Sequence, residues 1–79
     1  MGKNNVKYEV SYCDENADIN PRREWFRIAY KKTKSEAIKL AKKSSLKYFE
    51  TYIIGTDANE DVILHHFYRK GEFYCSTLG

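Results

Sequence analysis

A chain of 79 residues, 42% hydrophobic and 15% aromatic, has room for one domain with a thin core, so a deep substrate cavity is not expected. No apolar run approaches the roughly 20 residues that span a bilayer, and residues 1–5 do not resemble a signal peptide, so we expect a cytoplasmic protein that does not enter a membrane. The formal net charge is +3, yet residues 27–47 alone carry +7, which predicts an anionic partner: nucleic acid or an acidic protein surface.

The first half of the chain shows two strand patterns. Apolar residues alternate with polar ones from Val6 to Tyr12, which predicts a half-buried strand. Residues 13–23 form a polar connection that contains the turn signal Asn20-Pro21. Residues 24–31 are the second predicted strand. Strict alternation there directs Phe26, Ile28 and Tyr30 to the core, and Trp25, Arg27, Ala29 and Lys31 to the opposite face.

A helix is predicted from Thr33 to about Ser45. Thr33 and Glu36 have the spacing of a capping box, in which the hydroxyl and the carboxylate satisfy free amides at the helix start. At about 100° per residue, small and apolar side chains fall on one face and lysines on the other. The buried stripe comprises Ala37, Leu40, Ala41 and Ser44, flanked by Ile38 and Ser45.

Three further strands are predicted, at residues 48–56, 61–69 and 72–76. Turns at 57–60 and at Lys70-Gly71 separate them. The order β-β-α-β-β-β predicts a single α+β domain over residues 1–79, with a mostly antiparallel sheet of about five strands and one helix packed on one face. The uncovered face of such a sheet is solvated, paired in a homodimer or used for binding.

The basic segment supplies most of the candidate binding residues. Lysines on the outer helix face suit phosphates or carboxylates, although a solvated lysine face is the ordinary alternative. Trp25 and the preceding Arg22 and Arg23 are residue types that dominate the binding energy of protein interfaces. The alternative is an ordinary solvated loop. The predicted binding residues are Arg22, Arg23, Trp25, Arg27, Lys31, Lys32, Lys34, Lys39, Lys42, Lys43 and Lys47.

An aromatic face is also predicted. Trp25 shares a face with basic residues of the second strand, and the third and fourth strands could add Tyr52, His65 and Phe67. Exposed rings of this kind stack on nucleic-acid bases. The same rings could instead close a thin core or bury in a dimer.

The sequence predicts neither an enzyme nor a cofactor or metal site. His65 and His66 are adjacent on a strand and so point to opposite faces, which prevents ready chelation of one metal. The acidic run from Asp57 resembles the start of a calcium loop, but Val62 stands where that loop needs glycine, so a hairpin turn is expected. Cys13 and Cys75 are expected to be free thiols.

In its size, its β-β-α-β-β organisation and its T-x-S-E-A helix start at residues 33–37, the chain resembles small phage and mobile-element proteins, among them anti-CRISPR inhibitors. That resemblance implies an inhibitor that occupies a nucleic-acid site on a CRISPR effector complex or another host complex. Many such inhibitors are acidic mimics of DNA, whereas this chain is basic, which implies an acidic protein surface or the nucleic acid itself as its target.

We therefore predict a non-enzymatic binding protein of the phage-inhibitor type. It would engage a host nucleic-acid-processing complex in the host cytoplasm through the basic segment and neighbouring aromatics. One alternative is a protein that binds nucleic acid directly without sequence preference. A further alternative is a homodimeric regulatory or structural subunit that pairs through its uncovered sheet face.

Overall fold

The computed structural model describes residues 6–15 and 24–77. Five strands form one sheet in the order β2-β1-β3-β4-β5, and every neighbouring pair is antiparallel. The elements are β1 (Lys7–Cys13), β2 (Phe26–Lys31), α1 (Lys34–Ser44), β3 (Glu50–Thr56), β4 (Val62–Arg69) and β5 (Glu72–Ser76). The predicted α+β class and element order are confirmed, with β2 and β5 as the outer strands.

The helix begins where the capping pattern predicts. Thr33 has an extended backbone, with φ −121° and ψ 150°, and its Oγ1 accepts a hydrogen bond from the Glu36 amide at 3.2 Å. The same hydroxyl donates to Glu36 Oε1 at 3.1 Å, so one side chain holds both the backbone and the carboxylate of the first turn. Glu36 also lies near the positive end of the helix dipole, where a negative charge is favourable.

The core lies between α1 and the three central strands. Val10, Ile53 and Tyr68, each 2% exposed or less, pack against the fully buried Ala37 and Ala41. Because alanine side chains are short, the helix can lie close to the sheet. At the end of α1, the buried Thr51 hydroxyl donates to the Ala41 carbonyl at 2.8 Å, which ties the helix to β3. The predicted burial of Ala37 and Ala41 is therefore confirmed, whereas Leu40 and Ser44 of the same stripe are half-buried.

A β-bulge corrects the predicted faces of β2. Val10 pairs with Ala29 and Ser11 with Arg27, so Ile28 is an extra residue in β2. Directly opposed residues share a face, so Ala29 lies on the helix side with Val10. Beyond the bulge the alternation is reversed, and the prediction was wrong there because it assumed an uninterrupted period of two.

The reversal moves two residues of the predicted site. Tyr30 pairs with Glu9, lies on the side of the sheet without the helix (the open side) and is 47% exposed rather than buried in the core. Lys31 pairs with Tyr8, which packs against the core, and therefore lies on the helix side. Lys31 thus leaves the face of Arg27 and joins the lysines of α1.

Candidate functional site

The cations of residues 27–47 are divided between the two sides of the sheet. Arg27 lies on the open side, whereas Lys39, Lys42 and Lys43 are exposed on the face of α1 that points away from the sheet, here called the basic helix face. Among the residues that the structure describes, no carboxylate forms an ion pair with these three lysines. Lys42 and Lys43 also occupy the last helical turn, where positive charge complements the helix dipole.

A groove about 340 Å³ in volume lies between the basic helix face and the end of β2. It is lined by Lys31, Glu36, Lys39, Leu40 and Lys43 and is called the basic groove below. Lys31 reaches it from the strand because of the bulge, while Lys39 and Lys43 come from successive turns of the helix, about 6 Å apart along its axis. Leu40 adds apolar surface, so the groove suits a carboxylate or phosphate attached to an apolar group.

The other predicted lysines lie around the ends of the helix. Lys32 and Lys34 are exposed before and at its start. The charge of Lys34 acts on His66 of β4, whose pKa is lowered first by burial and then by that charge. Lys47 follows the helix, and its Nζ lies 5.2 Å from the centre of the Tyr48 ring. These residues extend the positive surface beyond the groove without lining it.

The open side carries the aromatic cluster that the sequence predicts. The Trp25 ring centre lies 4.7 Å from that of Tyr52 and 6.1 Å from that of Phe67. His65 completes the cluster, at 5.3 Å from Tyr52 and 4.6 Å from Phe67. All four side chains are half-buried and pack on one another. The aromatic cluster and the basic helix face are therefore on opposite sides of the sheet and do not form one continuous surface.

Arg27 has an aromatic partner of its own near β1. Its Nη1 donates to the Tyr30 hydroxyl at 3.0 Å, and its Cζ lies 4.8 Å from the centre of the Tyr30 ring. Lys7 Nζ lies 5.0 Å from the same ring centre. A cavity of about 470 Å³ adjoins this group and includes Glu9 and the β3–β4 turn. Its mixed charges give no preference for an anion.

The β3–β4 turn is a hairpin turn, as the sequence predicts. The Asp57 carboxylate oxygen Oδ1 accepts hydrogen bonds from the amides of Asn59 and Asp61 at 2.9 and 3.0 Å. Glu60 takes a positive φ of 67° to close the turn. Within residues 6–15 and 24–77, no three His, Cys, Asp or Glu side chains form a group that could hold a metal ion.

The two histidines diverge, as the alternation of a strand predicts. His65 lies in the aromatic cluster and shares a 2.9 Å hydrogen bond between its Nδ1 and the Thr77 hydroxyl. His66 lies on the other side, with its ring centre 5.2 Å from that of Phe73. Burial lowers the pKa of His65, and the neighbouring His66 lowers it further. Both imidazoles are thus held toward their neutral form.

A partly buried ion pair on the open side was missed by sequence reasoning. Arg69 Nη2 lies 3.4 Å from Oε1 of Glu50, a residue only 2% exposed. The Arg69 guanidinium also stacks on Tyr74 and Phe49, with Cζ 4.0 and 4.7 Å from their ring centres. No local signal marks this pair, because the two residues meet only through the register of β3 and β4. Arg69 is therefore committed to a structural role.

Three further expectations concern the two cysteines, the two arginines before Trp25 and membrane insertion. Cys13 and Cys75 are free, which confirms the predicted thiols. Arg22 and Arg23 lie outside the described residues. None of the described helices is long and apolar enough to cross a membrane.

No family model, curated protein or solved structure matches the chain, so its function has to be inferred from its own surface.

Proposed function

We propose that this chain is a non-enzymatic binding protein that docks its basic helix face on an acidic surface of a partner protein. The observation that carries the proposal is the exposure of Lys39, Lys42 and Lys43 on a helix whose apolar side is already buried against the sheet. Because no described residue forms an ion pair with these lysines, their charges are available for a partner. Its lysines, within a segment of net charge +7, favour a partner of opposite charge.

Two features favour an acidic protein over nucleic acid. The basic groove contains Leu40 between its lysines, so it offers apolar surface together with charge, as protein interfaces do. The rings that could stack on bases lie on the opposite side of the sheet and pack on one another. A nucleic acid bound to the helix lysines would therefore not reach the aromatic cluster around Trp25.

The resemblance to small phage inhibitors directs the choice of partner. We propose that the partner belongs to a nucleic-acid-processing complex of a host cell, such as a CRISPR effector, and that binding in the host cytoplasm blocks that complex. The basic character of the chain supports contact with an acidic subunit surface rather than mimicry of DNA.

Direct nucleic-acid binding is the second candidate function. The pairing of Arg27 with the exposed Tyr30 ring places a cation and an aromatic side by side on the open side, a combination that single-stranded nucleic acid binds. Homodimerisation through the open side is a separate prediction, which sedimentation of the purified protein would test.

A pull-down from host lysate, with and without nuclease, tests the proposal. The bait variants are Lys39→Gln/Lys42→Gln and, as a control with the same loss of charge, Lys7→Gln/Lys70→Gln. Exposed ion pairs contribute about 0.2–1 kcal/mol each, so the first double variant should bind the recovered partner about two- to thirtyfold more weakly, and the control should not. Equal binding by both variants would refute the proposal, and loss of the partner after nuclease would support the second candidate.

A further inference from the structure

Among the described residues, β2 is an outer strand of the sheet. β2 pairs with β1 on one side, and no strand within the described residues pairs with its other side. Backbone amides and carbonyls on such an edge have no ladder partners, so an incoming extended segment can bind there by adding a strand. The edge lies directly beside the basic groove, because Lys31, the last residue of β2, forms one wall of that groove.

The two faces of this edge differ in chemistry. On the helix side are three lysines, the apolar Leu40 and one carboxylate, that of Glu36, which accepts a hydrogen bond from the Thr33 hydroxyl. The three lysines outnumber this carboxylate, so the net charge of the lining is positive. On the open side are Arg27 and Tyr30, whose ring is 47% exposed and packs against the Arg27 guanidinium. A strand added to β2 would direct alternate side chains to these two faces. Carboxylates would suit the helix side, and apolar side chains would suit the open side.

We propose that the outer edge of β2 binds an extended segment of the partner protein in which acidic and apolar residues alternate. The acidic side chains enter the basic groove, and the apolar ones cover the Tyr30 ring. This inference rests on the proposed function and deepens it, since it names the form and the chemistry of the segment that the basic helix face receives.

An acidic segment of a partner protein fits this edge better than a second copy of the chain or a nucleic acid does. A second copy that paired β2 with β2 would place the two basic grooves side by side on the same side of the joined sheet, and the juxtaposed lysines would repel one another. A nucleic acid carries the right charge but has no peptide backbone to pair with the edge. The other outer strand, β5, has Glu72 as its single charged residue, so it would repel an acidic segment rather than attract it.

The probe for this inference is a capped, fluorescein-labelled peptide of about ten alternating Glu and Val residues, close to the upper length of ordinary strands. Its control has proline in place of two central valines, which keeps every carboxylate but removes ladder donors and extended pairing. Fluorescence anisotropy at low salt should show binding of the first peptide at least about tenfold tighter than the second, a difference of about 1.4 kcal/mol. Binding should also slow hydrogen exchange of amides in β2.

Two variants of the chain with the same loss of charge locate the contact. Lys39→Gln/Lys43→Gln removes two lysines of the groove, whereas Lys42→Gln/Lys47→Gln removes two lysines of the same segment outside it. The first variant should weaken binding of the alternating peptide several-fold, and the second should weaken it less. Urea unfolding of both variants checks that neither loss reflects a damaged fold.

The outcomes distinguish this inference from the proposed function. Equal binding of the two peptides, or equal weakening by the two variants, would overturn strand addition at β2 and leave the proposed function standing. Binding that neither variant alters would contradict both. Tighter binding of a single-stranded DNA of equal charge, in competition with the peptide, would assign the groove to nucleic acid. A dimer that the peptide dissociates would assign the edge to a second copy.

Discussion

The Ser45 hydroxyl joins the end of α1 to the β4–β5 turn, and its removal tests how the helix is held on the sheet. Ser45 Oγ accepts a hydrogen bond from the Gly71 amide at 2.7 Å and donates to the Lys42 carbonyl at 2.9 Å. Ser45 is only 3% exposed. The Leu46 side chain packs on the same turn, since a Cβ built on Gly71 would be 2.9 Å from Leu46 Cδ2.

Ser45→Ala should therefore destabilise the protein by more than one ordinary hydrogen bond. The substitution removes both hydrogen bonds of the Ser45 hydroxyl, and each contributes about 0.5–1.5 kcal/mol net. We expect the free energy of unfolding to fall by about 2 kcal/mol, which corresponds to a drop in Tm of about 8–16 °C for a domain of this size.

Urea unfolding followed by circular dichroism measures this loss, and Ser44→Ala is the matched control. The Ser44 side chain is half-buried, and its hydroxyl makes no hydrogen bond with the described residues, so its removal should change stability by no more than about 0.5 kcal/mol. Hydrogen exchange of the Gly71 amide should accelerate only in Ser45→Ala. Equal stability of the two variants, or an unchanged exchange rate at Gly71, would refute the role assigned to Ser45.

Three further predictions concern the cap, a glycine and the histidines. Thr33→Ala removes the capping hydroxyl and should lower the free energy of unfolding by about 1 kcal/mol, measured by urea unfolding. Gly55→Ala should destabilise by about 1–2 kcal/mol in the same assay, because the added Cβ would lie 3.0 Å from the Tyr8 ring; unchanged stability would show that the ring moves aside freely. The lowered pKa values of His65 and His66 predict stability that is full above their unfolded pKa of about 6.5 and falls as pH drops through it. Replacing both histidines by Gln should remove this fall in urea midpoints between about pH 7.5 and 5.5, above the range where carboxylates titrate.

Much of the fold was accessible from local sequence patterns. The cap at Thr33, the alanine stripe of α1, the turns at Asp57 and Lys70 and the order of elements all appear as predicted. Predicted strands began up to two residues early, as at Phe26 and Glu50, because the aromatic residues Trp25, Tyr48 and Phe49 are typical of strands although they precede the paired segment. For the candidate site, the sequence predicted which residue types take part but not their arrangement, since charge and aromatic content do not show which side of the sheet each residue occupies.

The sequence by itself determined the elements and the excess of positive charge, because a helix cap and an alternating strand depend on neighbours within a few residues. The tertiary structure determined on which side of the sheet each side chain lies. The bulge at Ile28 forms only when β2 pairs with β1, and it carries Lys31 to the helix side and Tyr30 to the open side. In the same way, Glu50 and Arg69 meet only across the β3–β4 pair. The basic groove and the separate aromatic cluster exist because strand pairing, which joins distant parts of the chain, sets the side of the sheet on which each residue lies.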